Sequence, residues 1–198
     1  MSDDSDYGKS IEEFNPPTMT FELKERLPTL SEANPAKVMQ YVHTGEICCG
    51  GAESILNSGA IGSCVVITAL DPIRHVGAMA HVMLPSECPV KNHAQANRYA
   101  ANAIEEMLHR LQKLQIVTDD MEICLAGGAN VLRRDTDTIG HDNLNSVEQL
   151  LLEKHFEIKA RTTGGYERRT VLFDIGSGCV YYTEGDSKQK MLWQTGSR

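Results

Sequence analysis

Positive charge is scarce in this 198-residue sequence, where Lys and Arg number 19 against 27 Asp and Glu for a formal charge of −8. Binding to phosphate backbones depends on Lys and Arg neutralising phosphates, so nucleic acid is not an expected partner. Long apolar runs are missing as well, and nothing approaches the roughly 18 residues of a membrane span, so no direct membrane insertion is expected. Met1 to Ser10 are polar and acidic and lack the basic flank and apolar run of a secretory signal. The expected location is the cytoplasm. Neither a Cys-x-x-Cys nor a His-x₃-His spacing occurs, so no structural metal and no cofactor are expected. Internal repeats are absent too. What remains is ordinary, with 41% apolar and 23% charged residues, as in a soluble globular protein with one core. Without an export signal, Cys48, Cys49, Cys64, Cys88, Cys124 and Cys179 read as reduced thiols, most of them small buried apolar groups.

Patterning divides the chain into three stretches. Residues 1–37 are acidic, carry Pro16, Pro17, Pro28 and Pro35, and read as a loosely ordered arm with one short strand near Met19 to Leu23. Residues 38–184 hold the organised pattern, and residues 185–198 read as a polar, frayed tail. Within the middle stretch, the β-branched run Cys64 to Leu70 and the apolar run Val76 to Leu84 flank Asp71-Pro72 and predict a hairpin. Ala100, Ala103, Ile104, Met107, Leu108, Leu111 and Leu114 recur at helical spacing, with Glu105, Glu106, Arg110 and Lys113 on the other face. Met121 to Ala126 reads as a buried strand, and Asn145 with Glu148 as a capping pair opening a helix through about His155. Phe156 to Arg161, Thr170 to Ile175 and Cys179 to Thr183 read as consecutive strands joined by the turns Thr162 to Gly165 and Gly176 to Gly178. Helices interspersed with hairpins favour an α/β (α+β) sandwich of one domain, with packed helices and a mixed or antiparallel sheet, over a doubly wound parallel fold.

The segment Ser58 to Ser63 delivers Cys64 to the first position of a strand from a glycine-containing turn, a suitable seat for a nucleophile. If the hairpin turns about a point between Pro72 and Ile73, His81 falls directly opposite Cys64, where an imidazole reaches a thiol. A neighbouring imidazolium would lower the thiol pKa and give a thiolate. Taken singly, a strand cysteine is more often structural and a histidine more often a satisfied core residue, so both readings stay open at this level. Gly127-Gly128-Ala129 lacks the Lys-Ser/Thr of a nucleotide loop and reads as close strand packing. His75, His93 and His141 fall in expected turns, and Asn92 with His93 sits in a polar loop that either lines a substrate groove or is simply solvated.

Several strings resemble the CheD family of chemoreceptor glutamine deamidases. They are Gly62-Ser-Cys-Val65, Gly77-Ala-Met-Ala-His-Val-Met-Leu-Pro85, Arg98-Tyr-Ala-Ala-Asn-Ala-Ile104, Gly127-Gly-Ala129, Ile139-Gly-His-Asp-Asn143, and Gly164-Gly165 with Arg168 or Arg169. They occur in the family's order from about Val42 to Val180. The resemblance implies the layered fold shared with cytotoxic-necrotizing-factor-like cysteine deamidases. It also implies hydrolysis of glutamine side chains on methyl-accepting chemotaxis receptors, through a thioester on Cys64 with His81 as general base. Nothing in the sequence demands more than a monomer. The family's third catalytic residue is a threonine at the position that Ser58 occupies here, which keeps the hydroxyl and loses the methyl. A hydroxyl engaged within its own turn is the alternative for Ser58. The resemblance leaves room for a second role, a binding module docking onto a CheC-type phosphatase or onto receptors, and the same thiolate chemistry would suit a receptor methyl ester.

Overall fold

The computed structural model describes residues 37–90, 93–116 and 121–196; the arm 1–36, with the strand expected near Met19 to Leu23, lies outside them. Among the described residues, ten strands form two five-stranded mixed sheets. Sheet I has the order β1 (Val38–Tyr41), β3 (Ser54–Ile61), β8 (Arg169–Asp174), β9 (Cys179–Glu184), β10 (Lys190–Gln194). Sheet II has the order β2 (Ile47–Gly50), β5 (Val76–Val82), β4 (Val65–Asp71), β6 (Glu122–Gly127), β7 (Ile158–Thr163). Each sheet carries one parallel pair, β1 with β3 and β6 with β7, among antiparallel neighbours.

Side-chain alternation builds the layers. In β4, Val65, Ile67 and Ala69 face the helices α1 (Ala100–Lys113) and α2 (Ile139–Glu153), while Val66 and Leu70 face sheet I, where Leu56, Val171 and Phe173 meet them. Sheet II is therefore covered on both faces, so every residue of β4 is buried. That is why its sequence is a continuous apolar run instead of an alternation. Among the described residues, strand β8 is covered on one face only, and its burial alternates residue by residue.

Helix α1 buries the expected stripe Ala100, Ala103, Ile104, Met107 and Leu111, while Leu114 lies beyond its end and is exposed. No side chain caps its start; Leu84 and Ser86 carbonyls accept from Ala100 and Ala101 N–H instead, so main chain satisfies the orphan donors. Among the described residues, no helix is long and apolar enough to cross a membrane.

Several boundaries depart from the sequence expectation. Helix α2 begins at Ile139, well before Asn145, because Gly140 fits against Gly128, where a Cβ would approach the Gly128 carbonyl oxygen to 2.8 Å. The consecutive strands β7 and β8 belong to different sheets, so their connection is a crossover and not a hairpin. Residues 190–194, expected as part of a frayed tail, form β10 against β9, and Trp193 Nε1 donates to Glu122 on sheet II at 2.8 Å.

Candidate active site

Three connections pass between the sheets at one end of the sandwich: β1 to β2 through Val42, β3 to β4 through Gly62-Ser63-Cys64, and β7 to β8 through Gly164 and Gly165. Main-chain bonds stitch these crossovers together. Val42 N–H donates to Asn57 O, Gly128 N–H to Cys64 O, Ala129 N–H to Gly62 O and Gly164 N–H to Gly127 O, all at 2.8 or 2.9 Å. Gly127 is indispensable to this stitching. It has φ +112, and a Cβ there would lie 2.1 Å from the Cys64 carbonyl oxygen. The glycine pair is thus close packing against the backbone of Cys64, as its sequence suggested.

Cys64 sits in the β3–β4 crossover, one residue ahead of β4 and partly exposed, not at the first position of the strand. The hairpin register also differs from the expectation: His81 pairs with Val66, and Val65 with Val82. The turn is wider than Asp71-Pro72 alone implied because Asp71 Oδ1 accepts from both Ile73 and Arg74 N–H, drawing four residues into it. His81 and Cys64 nevertheless share one face. Val66 and Met79 point between the sheets, His81 follows Met79 at strand period, and the Cys64 side chain packs against the same cluster. The two are diagonal neighbours, a relation with Cα separations of roughly 7–8 Å that aromatic side chains can bridge.

His81 is 4% exposed and its ring is held from one side. Nδ1 lies 2.9 Å from the Val42 carbonyl oxygen. A carbonyl only accepts, so a neutral ring carries its proton on Nδ1 and presents a lone pair at Nε2. That Nε2 is buried and has no hydrogen-bond partner, Cys64 Sγ included. Burial holds the His81 pKa below the usual imidazole value, opposed by the Val42 carbonyl, with His43 adding to the lowering and Glu46 opposing it. Burial likewise pushes the Cys64 thiol above its ordinary value, and its own backbone N–H draws it partly back. Both shifts favour the neutral thiol and the neutral imidazole over the thiolate and imidazolium expected from the sequence.

Ser58 lies within β3 and not in a turn, beside a bulge where Gly59 takes φ +63 and the β3–β8 register shifts. It is 5% exposed; its Oγ donates to Gly59 O at 2.7 Å and accepts from Val171 N–H at 2.9 Å. The hydroxyl thereby fills the ladder position that the bulge vacates, and no hydrogen bond joins it to His81. His93 is exposed and accepts from Gln95 N–H; Asn92 lies outside the described residues.

Two contributors are not marked by the sequence as site residues, although one of them, Asn143, closes the string Ile139-Gly-His-Asp-Asn143. Val42 acts through its carbonyl, which any residue could supply. Asn143 on α2, 0% exposed, donates from Nδ2 to Ser63 O and to Met83 O, both at 2.9 Å. Ser63 and Cys64 N–H groups meet no main-chain or side-chain oxygen acceptor among the described residues, and the Cys64 N–H lies against its own thiol. A recess of about 410 Å³, lined by Ala60, Val131, Arg133, Tyr166 and Arg168 among others, adjoins the crossover through Val131 and Gly62, but neither Cys64 nor His81 lines it. Among the described residues, no group of three or more His, Cys, Asp or Glu side chains could hold a metal ion.

Residues 83–184 match a family model described as CheD chemotactic sensory transduction. Over 151 residues the chain is 39% identical to a probable chemoreceptor glutamine deamidase CheD of Chlorobium luteolum, covering 76% of this chain and 75% of that protein. It is 33% identical over 118 residues to the chemoreceptor glutamine deamidase CheD of Thermotoga maritima, covering 60% and 74%. The probable chemoreceptor glutamine deamidase CheD of Methanococcus vannielii is 30% identical over 147 residues, covering 73% and 94%.

Proposed function

Because the chain belongs to the CheD family, we propose that it hydrolyses glutamine side chains of chemoreceptors to glutamate and ammonia, with Cys64 as nucleophile and His81 as general base. One observation carries this assignment: a buried imidazole with Nδ1 fixed on the Val42 carbonyl and Nε2 left unpartnered, on the sheet face that also carries a partly exposed thiol one diagonal step away. A fixed tautomer with a free lone pair is the form a general base needs.

The reaction proceeds by acyl transfer. His81 Nε2 takes the Cys64 thiol proton as Sγ attacks the carboxamide carbon, so the thiolate forms only as the bond to carbon forms. Ser63 and Cys64 N–H groups, without an oxygen acceptor in the resting protein, are the main-chain donors that would stabilise the charge developing on the carboxamide oxygen. The imidazolium then gives its proton to the departing nitrogen, ammonia leaves, and a thioester remains. Water, deprotonated by the same Nε2, attacks that thioester, and the thiol is restored as glutamate departs. Resting hydrogen bonds in such sites are often unmade and tighten on substrate binding, consistent with an Nε2 that does not yet touch Sγ. Ser58 supports the β3 bulge in this scheme and is not a reacting group.

The test is intact-mass analysis of a receptor cytoplasmic fragment incubated with the protein and with Cys64→Ala. A gain of about one dalton per converted glutamine, present with the first and absent with the second, is the expected result. Equal conversion by both would remove Cys64 from the chemistry.

A further inference from the structure

Asn143 is the buried polar residue whose hydrogen bonds reach both halves of the proposed dyad. Ser63, one acceptor of its amide, immediately precedes Cys64; Met83, the other, stands two residues after His81. A single planar NH2 group therefore ties the crossover that carries the thiol to the strand end that carries the imidazole. Helix α2 reaches the same thiol by a second route, since Gly140 in its first turn presses on Gly128, and Gly128 N–H donates to the Cys64 carbonyl at 2.8 Å.

The other end of the amide sharpens the point. Asn143 Oδ1 is buried and has no partner, which costs stability. Its surroundings are the apolar layer between α2 and sheet II, where Val147 and Leu151 of the same helix are fully buried. An apolar side chain there would remove the orphan acceptor. What it could not do is hold two carbonyl oxygens at one spacing.

We propose that Asn143 is a positioning residue for the deamidation, setting the separation of Cys64 from His81 by clamping Ser63 O and Met83 O. This rests on the reading that Cys64 and His81 carry the reaction. Asn143 touches no substrate and acts only through the main chain on either side of the pair.

The test compares the full chain with Asn143→Ala, Asn143→Asp, His81→Ala and Cys64→Ala, each first shown to be folded by circular dichroism and a cooperative thermal transition. Two quantities are read: kcat and KM on a receptor fragment, and the pH dependence of Cys64 alkylation by iodoacetamide, followed by peptide mass. For folded Asn143→Ala the expectation is a fall in kcat of about 10²-fold, the scale of a misplacement near 1 Å, with KM within about twofold. Its alkylation near neutral pH should lose the assistance that Nε2 gives to removal of the thiol proton, and its pH profile should come to match that of His81→Ala. Asn143→Asp keeps the shape but brings an acceptor against two carbonyls when ionised. It should regain part of the lost rate as pH falls and its carboxyl gains a proton to donate.

Unchanged kcat, or an unchanged alkylation profile, in a folded Asn143 variant would overturn the proposal. So would failure of both variants to fold, which would assign the amide to stability alone. Turnover by Cys64→Ala would instead sink the underlying reading, whatever the Asn143 variants do.

Discussion

The two sheets differ in what they do with buried polar groups. Sheet II is covered by helices on one face and by sheet I on the other, and at its open end it leaves His81 Nε2 without a partner. Among the described residues, sheet I is covered on one face only, and the polar groups it buries at the same end are engaged: Ser58 bridges its bulge to Val171. Arg169 holds Thr162, Gly164 and Glu184 at 2.7–3.1 Å. An unpaired buried lone pair is unfavourable for stability but is what a proton acceptor requires. The covered sheet has the apolar packing to sustain that cost, and the half-covered sheet serves as a satisfied wall.

The largest expected effect separates the two walls by activity. His81→Ala should lower kcat on a receptor fragment by about 10²–10⁴-fold, and combining it with Cys64→Ala should add little, because residues that act as a unit are not additive. Single-turnover kinetics of the single and double variants check this, and losses that multiply would mean the two groups act separately.

Packing gives the next contrast. Leu125, fully buried in β6 of sheet II, should cost about 3 kcal/mol on replacement by Ala. Leu172, on the uncovered face of β8, should cost about 1 kcal/mol or less. Urea unfolding of Leu125→Ala and Leu172→Ala measures the difference, and equal losses would mean that sheet I has a cover on its outer face.

A pH series comes third. Burial lowers the His81 pKa and raises that of Cys64, so both groups are neutral across a wide window, and kcat/KM should be flat from pH 6.5 to near 9. The rate should fall about tenfold per unit only once the pH drops through the folded-state value of His81, which lies below its ordinary 6.5. A resting thiolate–imidazolium pair would behave otherwise, with imidazolium persisting above 6.5. For stability the sign is the same. A histidine held neutral by burial binds fewer protons than in the unfolded chain, so its contribution is complete above pH 6.5 and is lost as the pH falls below that.

The β4–β5 hairpin and helix α1 are legible because their patterns are dense and local, and the hairpin brings His81 onto the face that Cys64, just ahead of β4, shares. The register is not, since Asp71 widens the turn through its own carboxylate, a choice that Asp-Pro alone does not reveal. The division into two sheets is not legible, because β7 and β8 are adjacent in sequence and separated only by tertiary pairing. Strand β10 read as a tail because an edge strand needs little apolar content; its anchor, Trp193 on Glu122, is a long-range bond. At the site, Val42 was invisible in principle, as its contribution is a backbone oxygen. Asn143 fell within a recognised string, but nothing in its spacing announced two carbonyls far away in sequence.

Ser58 gives the smallest effect and the finest distinction between the walls. Its Oγ donates to Gly59 O and accepts from Val171 N–H, so Ser58→Ala leaves a buried N–H unpaired at the bulge and should destabilise by about 1–2 kcal/mol. Activity should change by no more than about threefold below the melting range, because no hydrogen bond links the hydroxyl to His81 and the Val42 carbonyl already orients the ring. Ser58→Thr retains the hydroxyl and should recover most of the lost stability. If Ser58 instead oriented the imidazole, Ser58→Ala would lower kcat by about 10²-fold with little change in urea midpoint, and the added methyl of Ser58→Thr would affect rate more than stability. Measuring kcat and the urea midpoint on the same preparations decides which wall the hydroxyl belongs to.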